Sequence, residues 1–299
     1  MKTDIKEPLI SIIINCFNGE TFLEESIKSI ILQTHKNWEI IFWDNKSIDN
    51  SKNIFLKFKD KRFRYFYADT HTTLYEARNL ALIKARGEFV TFLDCDDLWT
   101  KDKLFSQLKK FEDKNIGMVY SNLWLLNNKS GKKKLFIKNK LSSGYIYDDL
   151  IKKYNIGIIT VMIKMNCLNK IKDKFNPIYS VIGDFDFFLR FSKKFKINYI
   201  NEPLAFYRLH GKNYSSINKY KEVIELEQWL DENKDKIEED HRKNVILRIN
   251  ERKFLNAKLN KSFIECIKVL KNLEFFKLNF KVFAILLMPK KLLKLLLWY

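Results

Sequence analysis

Short apolar runs alternate with stretches of helical period through the first hundred residues, and several of the runs end in polar clusters. Leu9–Ile14 is apolar except for Ser11, which suits a strand buried on both faces. Phe22, Leu23, Ile27, Ile30 and Ile31 then recur at the spacing of one helix face. Trp38–Trp43, Phe63–Tyr67 and Phe89–Leu93 repeat the strand signal. Ile54, Phe55 and Phe58, and then Leu74–Lys84, repeat the helical one, with Gly87 read as the glycine that closes the second of these helices. Lys101–Phe111 predicts a further helix and Met118–Leu126 a further strand. Such alternation predicts an α/β fold, a mainly parallel sheet flanked by helices.

Ligands of such sheets bind at the carboxyl ends of the strands. Polar residues gather at those ends here. Asn15 and Asn18 follow the first run, Asp44 and Asn45 the second, and Asp94, Asp96 and Asp97 the fourth. Beyond residue 128 the pattern weakens, and Lys132–Lys134 reads as an exposed loop. A helical pattern returns over Ile182–Phe195, opened by Gly183-Asp184-Phe185-Asp186, and residues 223 to about 273 read as helix-rich and charged.

The length, 299 residues, allows one large domain or one domain with an appendage. A formal net charge of +19 favours an anionic partner, whether nucleic acid, anionic lipid or a phosphorylated small molecule, although solvated surface lysines account for such a balance equally well. Cys16, Cys95, Cys167 and Cys266 are far apart and form no CxxC pair, which argues against a zinc site or a disulfide framework. Met1–Pro8 is polar and shows no secretory pattern, so a cytoplasmic location is the expectation. No run approaches the ~18 apolar residues of a transmembrane helix.

Three carboxylates in Asp94-Cys95-Asp96-Asp97 repel one another unless solvent or a cation compensates them. Placed after a buried strand they suit Mg²⁺ or Mn²⁺, which favour carboxylate oxygens and bridge them to phosphates. The alternative is an acidic helix N-terminus. Asp44 is placed to accept from a ring N–H of a nucleobase; the alternative is a turn capped by Ser47 or Asp49. Asp184, at the head of a helix carrying Phe187, Phe188 and Phe191, reads either as a general base within an apolar rim or as a cap. Arg78, Asn79, Arg208 and His210 add donors.

Taken in order, these blocks resemble the family 2 glycosyltransferases, which have the GT-A fold. The resemblance runs over about residues 8 to 215. It rests on Ser11-Ile12-Ile13-Ile14-Asn15-Cys16-Phe17-Asn18, Asp44-Asn45-Lys46-Ser47-Ile48-Asp49, Ala77-Arg78-Asn79-Leu80-Ala81-Leu82, Gly87–Asp97, Gly183–Arg190 and Tyr207-Arg208-Leu209-His210-Gly211. It implies an inverting transferase that uses a nucleotide-sugar donor, usually UDP-linked, with Mn²⁺ or Mg²⁺. Asn15 and Phe17 would line the nucleobase pocket, Asp44 would bond the base, and Arg78 would approach the base or diphosphate. Asp94 and Asp96 look like the pair that engages ribose and metal, with Asp97 in the same cluster. Asp184 looks like the catalytic base, and His210 would reach the diphosphate or metal. Three departures stand out: Asn45-Lys46 where relatives often have Asp and Gly, no glycine in Thr72–Glu76, and Gly183 where Glu commonly precedes the Asp.

This reading makes residues 1–215 the catalytic domain and 216–299 a helical extension, basic and amphipathic toward its end. Residues 276–299 carry Lys277, Lys281, Lys290, Lys291 and Lys294, no acidic residue, and a terminal Trp298-Tyr299. That composition suits a helix lying on an anionic membrane surface, peripheral to the inner face of a bacterial inner membrane and close to a polyprenyl-linked or other glycan acceptor. A helix packed on the catalytic domain and an oligomer contact are the alternatives. Other classes fit less well. No nucleic-acid-binding motif accompanies the positive charge, and the polar strand ends are acidic. A nucleotidyltransferase would want a glycine-rich phosphate loop where Asn15–Glu20 offers only Gly19. A sugar-nucleotide-binding protein without turnover would not need the acidic cluster and Asp184 intact.

Overall fold

The computed structural model describes residues 7–259. Its strands are β1 (Ile10–Cys16), β2 (Trp38–Asp44), β3 (Phe63–Tyr67), β4 (Phe89–Phe92), β5 (Leu98–Trp99), β6 (Ile116–Asn127), β7 (Lys133–Leu135), β8 (Met162–Lys164) and β9 (Lys196–Leu209). Its helices are α1 (Leu23–Ile31), α2 (Ser51–Leu56), α3 (Leu74–Leu82), α4 (Lys103–Lys109), α5 (Tyr147–Lys152), α6 (Met165–Leu168), α7 (Gly183–Lys194), α8 (Tyr214–Ile217), α9 (Lys219–Asn233) and α10 (Glu239–Leu259). Among the described residues, one compact unit runs to Leu150 and takes in Tyr154–Arg208. The other holds Ile151–Lys153 and the described residues from Leu209 to Leu259.

The first unit is built on one sheet of order β3-β2-β1-β4-β8-β6-β9-β5, with β7 beside β6. β1 pairs in parallel with β2 and with β4, and β2 pairs in parallel with β3. Every residue of β1 and β2 is buried, as strands covered on both faces require. The parallel expectation holds for these four strands. Beyond them, β8 runs antiparallel to both β4 and β6, and β5 antiparallel to β9. The sheet is therefore mixed.

Two local readings are corrected. α3 ends at Ile83 in a right-handed cap, four residues before Gly87. Gly87 instead lies flat against the neighbouring backbone: a Cβ there would sit 2.6 Å from Ser11 N and 2.7 Å from Leu9 O. Its N–H donates to Ser11 Oγ at 2.8 Å, so the residue is a close-approach glycine and not a helix stop. Lys133 and Lys134 are not loop. They belong to β7, whose backbone pairs with Leu126 and Leu125 of β6 while Lys133 stays exposed.

Lys103 on α4 is fully buried, its Nζ bonded to Thr91 Oγ1 at 2.9 Å and Gln107 Oε1 at 2.8 Å and set over the Trp99 ring. Burial holds its ammonium pKa well below the usual lysine value. The folded chain therefore binds fewer protons at this site than the unfolded chain between the lowered value and ~10.4. Stability rises with pH across that window. In thermal melts from pH 7 to 9, the Tm of the native protein should gain on that of Lys103→Met; parallel curves would show that Lys103 does not titrate this way.

In the second unit α9 buries Val223, Leu226 and Trp229, and α10 buries Val245, Ile249 and Phe254. Arg252 Nε meets Glu222 Oε1 at 3.0 Å between the two helices. The basic tail of residues 276–299 lies outside the described residues.

Candidate active site

β1, β2 and β4 are parallel neighbours, so their carboxyl ends deliver three loops to one edge of the sheet. The first two loops are stitched together by hydrogen bonds from backbone N–H groups to side-chain oxygens. Asn18 N donates to Ser47 Oγ (3.0 Å), Gly19 N to Ser51 Oγ (2.9 Å) and Glu20 N to Asp49 Oδ2 (2.9 Å). In return Ile48 N donates to Asn18 Oδ1 and Asn50 N to Glu20 Oε2, both at 2.9 Å. Asn18 and Lys46 take left-handed backbone angles, φ 54° and 72°, which tighten both turns. Gly19 is required by packing, because a Cβ there would fall 2.7 Å from Cys95 Sγ and 2.8 Å from Cys16 Sγ.

Asp44 is fully buried at the end of β2. Its Oδ1 accepts from Ser47 N at 2.7 Å and its Oδ2 from Tyr65 Oη at 2.7 Å. Asn15, at the end of β1, is buried, and its Nδ2 has no hydrogen-bond partner among the described residues. Phe17 is half exposed and its ring lies 4.3 Å from that of His71, tilted by 51°. His71 is oriented by donation from Nδ1 to Asn45 O at 2.8 Å. An aromatic face with a buried unmatched donor near the loop base suits a planar heterocycle.

The third loop follows β4. Asp94 Oδ1 accepts from Arg78 Nη2 at 2.8 Å, and Arg78 is buried. Burial pushes the Asp94 carboxyl up, Arg78 pulls it down, and Asp96 pushes it up again. Arg208 anchors this loop: its N–H donates to Asp97 Oδ1 (2.8 Å), its Nε to Asp96 O (2.9 Å) and its Nη2 to Glu25 Oε2 (2.6 Å). Asp97 is fully buried, and its Oδ2 has no hydrogen-bond partner among the described residues. Burial, then Asp96 and Asp94, lift its carboxyl well above the usual carboxylate range.

Asp184 lies in the first turn of α7. Its Oδ1 accepts from Phe185 N at 2.8 Å and from Tyr75 Oη at 3.2 Å. Burial raises its carboxyl pKa, while Arg78, Tyr154, the Phe185 N–H and Tyr75 oppose the rise. α3 is fastened to the chain that leads into α7. Asn79 Nδ2 donates to Phe175 O (2.7 Å), Phe175 N donates to Asn79 Oδ1 (3.1 Å), and Thr73 Oγ1 donates to Pro177 O (3.1 Å). This fastening sets Arg78 against both Asp94 and Asp184.

Residues 11–173 match the family model described as glycosyl transferase family 2. The chain belongs to this family. The Escherichia coli UDP-Glc:alpha-D-GlcNAc-diphosphoundecaprenol beta-1,3-glucosyltransferase WfgD is 34% identical over 217 residues, 72% of this chain and 82% of WfgD. The putative teichuronic acid biosynthesis glycosyltransferase TuaG of Bacillus subtilis is 33% identical over 72% of this chain and 84% of its own. Among solved structures, S. aureus TarS in complex with UDP-GlcNAc superposes with a TM-score of 0.61 at 18% identity, over 88% of this chain and 80% of that one. The mannosyltransferase PcManGT of Pyrobaculum calidifontis, in complex with GDP-Man and Mn²⁺, gives 0.63 at 14% identity, over 94% and 79%. The fold of this family 2 glycosyltransferase is thus the GT-A fold.

Of the residues singled out from sequence, Arg78, Asp94 and Asp184 are brought together, while Asp44, Asn15 and Phe17 line the stitched loops. His210 belongs to the second unit, where its N–H donates to Asn213 Oδ1 at 3.0 Å. Tyr65, His71, Tyr75 and Glu25 carried no sequence signal, because each sits inside an ordinary strand, turn or helix pattern.

Proposed function

We propose that the chain transfers a sugar, with inversion, from a UDP-linked donor to a glycan or polyprenyl-linked acceptor in bacterial surface polysaccharide synthesis. The observation that carries this reading is the buried guanidinium of Arg78, which faces both Asp94 and the helix-borne Asp184. It gives a base and an anion-binding group a common reference point. The name of WfgD and the complex of TarS with UDP-GlcNAc support a UDP-sugar, and the name of WfgD supports a polyprenyl-linked acceptor.

In this mechanism Asp184 takes the proton of the acceptor hydroxyl as that oxygen attacks C1 of the sugar. The bond from C1 to the diphosphate breaks on the opposite face, and the electron pair leaves with the diphosphate. Asn15, Phe17 and Asp44 hold the nucleobase. Arg78 meets charge that grows on the diphosphate, and Asp94 and Asp96 engage the ribose side.

The described residues include no set of three His, Cys, Asp or Glu side chains arranged to close around a metal. They do fit an ion shared with a diphosphate, since the unmatched buried Oδ2 of Asp97 lies within the 94–97 turn. Asp96 and Asp97 would hold Mn²⁺ or Mg²⁺, which supplies Lewis-acid stabilisation of the leaving group when bound. Residues 1–215 are assigned the chemistry and 216–299 an extension whose lysine-rich end meets an anionic membrane surface from the cytoplasmic side. No described helix is long and apolar enough to cross a membrane.

A panel of nucleotide sugars tests the donor site. Slow UDP release from one donor, with Mn²⁺ or Mg²⁺, should stop with EDTA and fall at least about 100-fold in Asp96→Ala. Failure of UDP to bind in calorimetry with metal present would overturn the donor assignment.

A further inference from the structure

Two of the sequence departures from the family meet in space. The segment Thr72–Glu76, which lacks the glycines often found before the Ala-Arg-Asn block, contains Tyr75, and where Glu commonly precedes the base this chain has Gly183. A Cβ on Gly183 would lie 2.5, 2.6 and 2.7 Å from Cδ2, Cγ and Cε2 of the Tyr75 ring. The ring therefore fills the space that any side chain at 183 would need. Gly183 has no positive φ, so packing and not backbone conformation demands the glycine.

The ring is firmly seated. Tyr75 is buried, stacks on Phe175 with centroids 5.7 Å apart, and has the Arg78 guanidinium 5.1 Å from its centroid. Its hydroxyl lies 3.2 Å from Asp184 Oδ1 and 3.1 Å from Val181 O. A phenol has one proton, so only one of these oxygens can receive it at a time. An ionised carboxylate is the stronger acceptor.

We infer that Tyr75 is a positioning residue for Asp184: its ring takes the place of a side chain at 183, and its hydroxyl donates to the carboxylate and holds it ionised and aimed. This rests on the assignment of Asp184 as the base. The groups facing Asp184 are Tyr75 and Arg78 from α3 and Tyr154 from the segment after α5, with the Phe185 N–H from its own helix. Asp94 stands beyond Arg78, and Asp186 on α7 is engaged by Arg190 at 2.7 Å. Burial beside Asp184 lifts the Tyr75 phenol well above its ordinary value, so the proton stays on Tyr75 and the residue acts as a fixed donor. When Asp184 accepts the substrate proton, the phenol hydrogen can turn to Val181 O.

The test follows Asp184 directly, as the ¹³C carboxyl signal of aspartate-labelled protein that vanishes in Asp184→Asn. In Tyr75→Phe the carboxylate loses a donor, so its midpoint should move up by roughly one pH unit. An unchanged midpoint overturns the inference. The acidic limb of kcat should move by the same amount with KM for the donor unchanged. A shifted midpoint with an unshifted rate profile would sustain the contact and sink Asp184 as the base. A second arm is independent of titration: Gly183→Ala should lower Tm in the native background and not in Tyr75→Ala. Equal loss in both backgrounds would overturn the packing half.

Discussion

Asp184→Asn is expected to lower kcat by about 10²–10⁴-fold, the usual contribution of a positioned general base, while KM for the donor stays where it was. Asparagine has the same shape as aspartate, and its Oδ1 can still accept from Phe185 N and Tyr75 Oη. The helix start and the packing around it therefore survive, and what is lost is the ability to take a proton. The native rate should rise with pH as Asp184 ionises, with a midpoint above the ordinary aspartate value because burial is the largest influence on this carboxyl. Steady-state transfer assays with UDP calorimetry beside them decide the matter. A variant that binds UDP and transfers at the native rate would remove Asp184 from the chemistry.

Arg78→Met should cost about 10- to 100-fold in kcat/KM, the equivalent of a lost hydrogen bond to a charged group. Methionine covers the same stem and fills the space, but Asp94 loses its 2.8 Å partner and Asp184 the nearest positive charge. Both carboxyls then rise, so the loss should be greatest at low pH and shrink as pH increases. Arg78→Lys should recover little, since a single ammonium cannot face two carboxylates as a planar guanidinium does. A loss of the same size at every pH would mean that Arg78 acts by contact with the donor alone and not through its neighbours.

The parallel half of the sheet was legible because β1 and β2, each seven residues long and buried throughout, leave unbroken apolar runs. The other half was not. β5 has two residues, and β7 and β8 three each, too short to display a period of two. Gly87 shows how a sound local rule fails, since a glycine past a helix and a glycine under a neighbouring strand read alike in one dimension. Asp44, Asp94 and Asp184 stand out in the sequence because carboxylates at strand ends and helix starts are conspicuous. Tyr75 was not, because an aromatic on a helix reads as core, and here it is core with one polar atom turned toward a carboxylate. Arg208 was visible as a residue but not as an anchor, because its partners Glu25, Asp96 and Asp97 are more than 100 positions away.

The cross-bracing of the loops after β1 and β2 bears on how the chain can discriminate among donors. Five hydrogen bonds between side chains and backbone tie Asn18, Gly19 and Glu20 to residues 47–51, with donors supplied from both sides. A rim fixed in this way gives up little conformational entropy when a nucleotide arrives. On the proposed donor assignment, such a rim would resist reshaping around a bulkier purine. Discrimination would then reside in a mould set at folding and not in adaptation on contact. A change at Ser47 or Asn18 would loosen both loops together.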